Sequence, residues 1–291
     1  MENTAETKVV ESQFAEFQSA LLPFAYNILG DSMEARDVVQ EILNHYFLSD
    51  TGHIQNPKAY LVRSVINRSI TEKKRIQLEK KKYLGEWLPV PVNHEAGIYR
   101  LADRDRIINY SLLVLLERLN PKERAVFILI ETFDFAHKEV AEVLNTTVEN
   151  SRQLYKRARQ KLEPDIRKTV ILNEQSKIVI EKLTEAIMLA DVEKVKQLLS
   201  DEVRSVSDGG NKARAARKVL VGRDHVARFL QAIYGKYFLE GSESFMTEVN
   251  HSPAIIFKQN GAVYRCMIFE ISRGAIDNLY IIVNPDKLQS I

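Results

Sequence analysis

The sequence predicts a multi-domain protein in which two all-α helical domains precede a C-terminal α+β domain with a curved antiparallel sheet. Three observations support this fold class. Apolar residues recur at helical spacing through most of the chain from Val9 to Leu199, apart from a proline-containing linker at residues 77–106. A helix-turn-helix pattern lies at 137–162, and from Val203 onward the chain changes to short apolar runs rich in β-branched and aromatic residues. A length of 291 residues suits two or three domains.

Composition narrows the class of protein. Hydrophobic residues make up 45% and charged residues 27%, as in ordinary globular domains. The single cysteine, Cys266, excludes an intrachain disulfide framework and a cysteine-rich zinc site, and its apolar surroundings predict a core position. The N-terminus has no basic-then-apolar signal and no apolar run is long enough to span a membrane. We therefore expect a cytoplasmic protein, and we predict no cofactor and no metal site.

Charge is segregated although the net charge is only +2. The stretch Arg63–Lys82 holds eight Lys and Arg against two Glu, and Arg152–Lys168 holds seven against two acidic residues. Local basic stretches favour contacts with phosphates. Solvated helix faces remain the alternative interpretation, particularly for the first stretch.

The first helical domain is predicted at residues 9–76. A helix from Val9 to Leu29 ends at Gly30, and Asp31 begins the second helix, Met33–Leu48, in a D-x-x-E capping pattern. The exposed face of this second helix is polar and includes Glu34, Asp37, Gln40 and Glu41.

A polar loop at 50–55 precedes the third helix, Lys58–Ile76. Asn56-Pro57 is its start signal, an N-cap followed by proline in the first turn. The helix exposes basic and amide side chains, among them Lys58, Arg63, Asn67 and Arg68.

A linker is predicted at 77–106 because Pro89 and Pro91 forbid a regular helix there. It contains Trp87, the only tryptophan of the chain, which we expect to dock onto another surface. A helix is predicted from Arg106 to Leu119, and Asn120-Pro121-Lys122-Glu123 then begins the next helix, Lys122–Thr132.

The second helical domain, 107–165, ends in the helix-turn-helix. Asn145 is predicted to end the first helix in a left-handed conformation, and Thr146 with Glu149 to cap the second. The second helix buries Val148, Ser151, Tyr155, Ala158 and Leu162 and exposes Arg152, Gln153, Lys156, Arg157 and Arg159. Such a helix can enter the major groove of DNA, although a helix pair with a solvated basic face would have the same pattern.

The C-terminal domain is predicted at 170–291. Helices within Ile166–Leu199 precede short strands, and the helix Arg223–Tyr237 lies among them. The predicted strands are 203–207, 218–221, 245–250, 254–258, 262–271 and 275–283. Hairpin turns are expected at Asn260-Gly261 and Arg273-Gly274.

Residues 9–163 resemble a family, the extracytoplasmic-function (ECF) sigma factors of bacterial RNA polymerase. Four blocks carry the resemblance in the family's order: GDSMEARDVVQEIL, NPKAYLVRSVINRSI, LNPKERAVFIL and the helix-turn-helix ending in YKRARQKL. Residues 170–291 resemble the SnoaL-like domain, which one ECF subgroup carries as a C-terminal extension. Three short motifs are similar to that subgroup: WLPVP at 87–91, DGGNK at 208–212 with Asn211 in place of a third glycine, and NPDKL at 284–288.

The resemblance implies roles for the predicted surfaces. Region 2, at 9–76, would bind core polymerase through Glu34, Asp37, Gln40 and Glu41. It would bind a melted minus-ten element through Gln55, Asn56, Lys58, Arg63, Asn67 and Arg68. Region 4, at 107–165, would bind the duplex minus-thirty-five element through Arg152, Gln153, Lys156, Arg157 and Arg159. The partners so implied are core polymerase and promoter DNA.

The linker and the C-terminal motifs are expected to meet and to regulate the protein. The resemblance implies this role for Trp87, Pro89, Pro91, Asp208, Gly209, Gly210, Asn284, Pro285, Asp286 and Lys287. A small-molecule ligand in the C-terminal cavity is a further candidate partner.

Catalysis by the C-terminal domain is the competing interpretation. The candidate acids and bases Asp208, Asp224, His225 and His251 have no diagnostic spacing, so we predict a modulator that is not an enzyme. The alternative function is a DNA-binding regulator fused to a small-molecule-binding or enzymatic domain.

Overall fold

A computed structural model describes residues 2–93, 104–166, 174–237, 241–289 and 291. The chain forms two compact units. The first contains the described residues up to Glu79, 104–108 and 115–166. The second contains 80–93, 109–114 and the described residues from Glu174 onward. The predicted linker residues 94–103, and 170–173 at the start of the predicted C-terminal domain, lie outside the described residues.

The first unit is helical. Its long helices are α1 (Glu2–Leu29), α2 (Ser32–Leu48) and α3 (Pro57–Lys80). Asp31 accepts hydrogen bonds from the backbone N–H groups of Met33 and Glu34, which confirms it as the cap of α2. Asn56 accepts from the N–H of Ala59 at the start of α3. The third helix continues to Lys80, so the predicted end at Ile76 is wrong.

The predicted continuous helix Arg106–Leu119 is wrong, because the helical structure is interrupted within this range. A 3₁₀ turn, Arg104–Arg106, is followed by α4 (Tyr110–Leu115) and a second 3₁₀ turn, Leu116–Arg118. The side chain of Asn109 accepts from the N–H of Leu112 at 2.9 Å, which starts a new helix in the middle of the predicted one.

Three further helices complete the first unit: α5 (Pro121–Glu131), α6 (His137–Val143) and α7 (Val148–Ile166). The Asn120–Glu123 capping box of α5 is present, as predicted. Asn145 has a positive φ of 49°, which confirms the predicted stop between α6 and α7. The predicted Thr146 cap is wrong by one residue, since Thr147 accepts the hydrogen bond from the N–H of Asn150.

The second unit packs helices on a six-stranded sheet. Its helices are α8 (Glu174–Met188), α9 (Val192–Gln197) and α10 (Arg223–Tyr237). The strands are β1 (Leu199–Asp208), β2 (Leu220–Val221), β3 (Glu243–Val249), β4 (Ser252–Gln259), β5 (Ala262–Ser272) and β6 (Ala275–Ile282). The core lies between the three helices and one face of the sheet, and Cys266 is buried as predicted.

The strand order is β2-β1-β6-β5-β4-β3. The antiparallel arrangement expected throughout the sheet is corrected at one pair, because β1 runs parallel to β6, with Ser207 opposite Ile281. Both predicted hairpin turns have two consecutive positive φ angles, 52° and 79° at Asn260-Gly261 and 51° and 78° at Arg273-Gly274. This matches a type I′ turn.

Candidate functional site

Asp208, at the end of β1, is the centre of a buried polar cluster in the second unit. It is fully buried. Its Oδ2 accepts hydrogen bonds from Lys287 Nζ at 2.6 Å and from the backbone N–H of Leu88 at 2.8 Å. Its Oδ1 accepts from the N–H of Gly210 at 3.2 Å and from the hydroxyl of Tyr83. The carboxylate thus holds the linker, the DGGNK motif and the NPDKL motif together.

Lys287 and Asn284 bind the linker from the C-terminal end of the chain. Lys287 is 4% exposed, donates to the carbonyl of Leu88 at 2.5 Å and lies 3.5 Å from the ring centroid of Trp87. Asn284 donates to the hydroxyl of Tyr83 at 2.8 Å. We call Tyr83, Trp87, Leu88, Asp208, Asn284 and Lys287 the linker anchor. The predicted meeting of Trp87 with Lys287 is confirmed as a contact.

Two glycines of the DGGNK motif are required by the space around them. A Cβ on Gly209 would lie 2.3 Å from the carbonyl oxygen of Ala213. Gly210 has a positive φ of 54°, and a Cβ there would lie 2.8 Å from the Tyr83 hydroxyl. Asn211, in place of a third glycine, is exposed, so a side chain is tolerated there.

The remaining predicted residues of these motifs lie at the edge of the anchor. Asp286 is exposed and pairs with Lys212 at 2.7 Å, and Pro285 is exposed beside it. Pro89 and Pro91 are buried. The buried charge compensation of the anchor is between Asp208 and Lys287.

Asn250 makes a second connection to the linker that the sequence did not reveal. It is buried, and its side chain accepts from the N–H of Val92 at 2.8 Å while its own N–H donates to the carbonyl of Val92 at 3.1 Å. Its carbonyl accepts from the N–H of Tyr110 at 3.1 Å. Tyr110 in turn donates its hydroxyl to the carbonyl of Pro89 at 2.8 Å. We call Val92, Tyr110 and Asn250 the clasp, because Asn250 binds the two residues that flank the segment 93–109.

The hydroxyl of Tyr83 in the anchor is kept protonated by its burial and its hydrogen bonding. Burial and the hydrogen bond to the Asp208 carboxylate raise the pKa of Tyr83 above its ordinary value. Tyr83 therefore remains a hydrogen-bond donor to Asp208 at neutral pH.

In the first unit, the helix predicted to bind the minus-ten element contacts the first helix of the helix-turn-helix. The Asn67 amide on α3 donates to the carbonyl of Val143 on α6 at 2.8 Å, and Gln77 on α3 donates to the carbonyl of Leu119 at 3.1 Å. The segments predicted as region 2 and region 4 are therefore in contact within this unit.

A buried charge cluster lies in the same contact. Lys73 and Arg124 are 1% and 0% exposed, and both bind Glu117, at 2.8 Å and 2.6 Å. Lys73 also donates to the carbonyl of Leu29, and Arg124 to the carbonyl of Asn27. Removing one member of such a cluster would leave buried charge uncompensated.

The predicted polymerase-binding and minus-ten surfaces share ion pairs. Arg68 on α3 binds Glu41 on α2 at 3.1 Å and Glu72 at 2.9 Å, while Arg75 binds Glu34 at 2.7 Å. Burial opposes ionisation of Glu72, but hydrogen bonds from Arg68 and Arg75 lower its pKa. The other residues predicted for these surfaces are exposed: Asp37, Gln40, Gln55, Asn56, Lys58 and Arg63.

The helix α7 presents most of the predicted DNA-binding face to solvent. Arg152, Gln153, Lys156 and Arg157 are exposed. Arg159 differs, because its guanidinium lies 3.3 Å from Glu131 on α5. On the buried side, Ser151 hydrogen bonds with His137 of α6 at 2.9 Å, which explains how a serine fits in this helix pair.

The other candidate acids and bases, Asp224, His225 and His251, make none of the hydrogen bonds to Asp208. Asp224 pairs with Lys196 at 2.8 Å on the surface, and the exposed His225 contacts the carbonyl of Val221. His251 lies 3.5 Å from Glu248. Within the described part of the chain, no group of three or more His, Cys, Asp or Glu could hold a metal ion.

Comparison with known proteins extends over almost the whole chain. A crystal structure of the Mycobacterium tuberculosis extracytoplasmic function sigma factor SigJ superimposes with a TM-score of 0.77 at 26% identity. It covers 96% of this chain and 98% of that one. The curated SigJ sequence, named "ECF RNA polymerase sigma factor SigJ", is 29% identical over 95% of this chain and 92% of its own length. Over almost its whole length the chain is therefore similar to ECF RNA polymerase sigma factors.

Two further comparisons agree with this assignment. The family model "Sigma-70, region 4" matches residues 110–162 of this chain, which include α5, α6 and most of α7. The M. tuberculosis (strain CDC 1551) protein named "Probable ECF RNA polymerase sigma factor SigI" is 24% identical over 97% of this chain and 96% of its own length. This chain matches the SigJ structure over 96% of its length, which includes its C-terminal unit. Among its described residues, no helix is long and apolar enough to cross a membrane.

Proposed function

We propose that this sigma factor directs core RNA polymerase to promoters and that its described conformation is a closed state maintained by the C-terminal domain. The observation that carries the proposal is the hydrogen bond from Asn67 to the carbonyl of Val143, at 2.8 Å. It joins the predicted minus-ten helix to the first helix of the helix-turn-helix.

The spacing of promoter elements is incompatible with that contact. Minus-ten and minus-thirty-five elements lie about 25 base pairs apart, which is about 85 Å of duplex at about 3.4 Å per pair. Helices in direct contact cannot reach both elements at once. Region 2 and region 4 must therefore separate before the promoter is bound.

The C-terminal domain restrains this separation through the linker. The linker follows α3 directly. In the anchor, Asp208 and the C-terminal tail bind linker residues between Tyr83 and Leu88. In the clasp, Asn250 joins Val92 to Tyr110. Residues 93–109 would span up to about 60 Å when extended. While the clasp holds both Val92 and Tyr110 on Asn250, this segment cannot extend and region 2 and region 4 cannot move apart.

Opening would also release the residues assigned to polymerase and DNA. Glu41 would exchange Arg68 for a basic surface of core polymerase, together with Glu34, Asp37 and Gln40. Arg63, Asn67 and Arg68 would bind backbone phosphates, with Gln55, Asn56 and Lys58 beside them. Arg152, Gln153, Lys156 and Arg157 would bind the minus-thirty-five duplex. These roles are proposals, and they place the protein in the cytoplasm with the polymerase.

We propose that the C-terminal domain acts without catalysis. Both carboxylate oxygens of Asp208 are engaged in the anchor, where they accept from Leu88, Gly210, Tyr83 and Lys287. A general base needs access to substrate, which this burial denies. A ligand could shift the closed state only by binding one conformation better than the other.

A distance measurement tests the closed state. The variant His53→Cys, Lys138→Cys places two exposed cysteines on the two regions, and the buried Cys266 would not compete for label because burial raises its pKa. With donor and acceptor dyes attached, we expect high energy transfer in the free protein and a loss of transfer when core polymerase and promoter DNA are added. Unchanged transfer in a transcribing complex would contradict the proposal.

A further inference from the structure

The second unit contains a large cleft against the sheet. Its volume is about 1030 Å³. That is at the upper end of the range of about 300–1,000 Å³ in which proteins bind small molecules. Apolar side chains from α10 and from β6 and its C-terminal extension form much of its wall: Phe229, Ile233, Ile281, Val283 and Leu288. A wall of this kind favours an apolar ligand body.

The polar part of the lining is cationic. Lys212, Arg214, Arg217 and Arg265 line the cleft, and among the lining residues that are described there is no Asp or Glu. Asp286 pairs with Lys212, so the exposed Arg214 and Arg217 and the buried Arg265 are the other cationic side chains of the lining. Clefts lined by one sign of charge concentrate ligands of the opposite sign.

Arg265 and Ser207 place polar groups deep in the cleft. Arg265, on β5, is 5% exposed, and its guanidinium carbon lies 5.6 Å and 5.7 Å from the ring centroids of Phe257 and Tyr264. Ser207, on β1, is buried, and its hydroxyl has no hydrogen-bond partner among the described residues. Both line the same cleft, so one ligand can meet a cation and a hydroxyl there.

We propose that this cleft binds an amphipathic anion, an aliphatic chain with a carboxylate or phosphate head group. Guanidinium groups bind both head groups through paired, charge-assisted hydrogen bonds, and these strengthen where water is excluded. The apolar wall takes the aliphatic chain. A cationic amphiphile meets repulsion from the arginines, and a neutral one gains only the apolar contact.

A ligand in the cleft would lie against segments that form the linker anchor. Gly210 and Leu288 line the cleft, and so do the linker residues Leu84 and Gly85. Gly210 also donates to Asp208, the centre of the anchor. A bound anion would therefore contact the segments that hold the linker. This regulatory consequence rests on the proposed function, whereas the binding itself does not.

Calorimetric titration of the full chain with matched amphiphiles tests the binding. The probes are dodecanoate, dodecyl phosphate, dodecanol and dodecyltrimethylammonium, each below its micellar concentration. We expect one or both anions to bind at least tenfold more tightly than dodecanol, and the cation to bind most weakly. The two anions distinguish a carboxylate from a phosphate site. Equal affinities across the four probes, or tighter binding of the cation, would overturn the proposal.

Charge variants locate the site. Arg265→Met should weaken binding of the preferred anion by tenfold or more. Arg214→Glu, Arg217→Glu changes only exposed side chains, so it preserves the fold and should weaken binding at least threefold. Arg228→Glu, an exposed position on α10 outside the cleft, is the matched control. An effect of Arg228→Glu equal to that of the double variant would place the binding elsewhere. If the anion binds as predicted and transcription by the full chain does not respond, the binding proposal stands and its regulatory consequence fails.

Discussion

Replacing Lys287 with methionine tests whether the linker anchor depends on its buried ion pair. The substitution keeps an apolar chain of similar length and removes the cation that lies 2.6 Å from Asp208. Breaking a buried pair by removing one partner costs about 3–5 kcal/mol. Asp208 keeps hydrogen bonds from Leu88, Gly210 and Tyr83, which favours the lower part of that range. Loss of the cation–π contact with Trp87 adds about 1 kcal/mol.

A matched control lies in the same two motifs. Lys212 pairs with Asp286 at 2.7 Å, but their side chains are 59% and 54% exposed. Exposed pairs contribute about 0–1 kcal/mol, so Lys212→Met should change stability by less than about 1 kcal/mol. Both variants remove one positive charge, so the difference between their losses of stability isolates the effect of burying the ion pair.

Urea denaturation followed by tryptophan fluorescence measures both variants. Trp87 is the only tryptophan and lies in the second unit, so its signal reports unfolding of that unit. We expect the Lys287→Met midpoint to fall well below that of Lys212→Met at similar slope. Adding Asp208→Asn to Lys287→Met should recover part of the loss, because it removes the uncompensated carboxylate. If Lys287→Met costs no more than Lys212→Met, the ion pair does not stabilise the anchor.

Three further predictions follow from buried or paired charges. Burial raises the pKa of Glu270 above its ordinary value of 4.5, so the second unit should lose stability as pH rises above that value, and Glu270→Gln should flatten this decline in denaturation curves recorded by Trp fluorescence. Glu117→Gln should destabilise the first unit by about 3–5 kcal/mol in denaturation followed by circular dichroism, whereas the exposed control Glu79→Gln should cost less than about 1 kcal/mol. In salt titrations of promoter binding by the holoenzyme, Lys156→Ala should lower the slope of log affinity against log salt by about 1, while a similar loss for Arg159→Ala would contradict its pairing with Glu131.

Local signals in the sequence predicted most elements of the fold. The helix Arg223–Tyr237 has the predicted bounds because Gly222 precedes an amphipathic stretch. The hairpin turns follow from Asn-Gly and Arg-Gly pairs that accept positive φ. The break before Tyr110 was missed, because apolar periodicity continues through Asn109 and only the side-chain cap marks the new helix. The parallel pairing of β1 with β6 joins strands far apart in the chain, which local patterns do not encode.

The candidate site was partly predictable for a similar reason. Short motifs identified the linker and the C-terminal tail as segments that meet, and Trp87 and Lys287 do so. Asn250 was not predicted. A positive-φ Asn between two strands indicates a turn, and nothing near it in the sequence points to Val92 or Tyr110. The contact between α3 and α6 was likewise hidden, because Asn67 has the same sequence pattern whether it faces DNA, solvent or another helix.

Promoter-dependent transcription with core polymerase and the clasp variant Asn250→Gly tests the central claim most directly. Glycine keeps the positive φ of 48° and removes the side chain that accepts from Val92. Asn260→Gly, at an exposed hairpin turn with φ of 52°, is the matched control. The account predicts that Asn250→Gly initiates more transcripts than the unmodified protein and that Asn260→Gly does not differ from it. Unchanged or lower initiation by a folded Asn250→Gly variant would contradict restraint by the C-terminal domain.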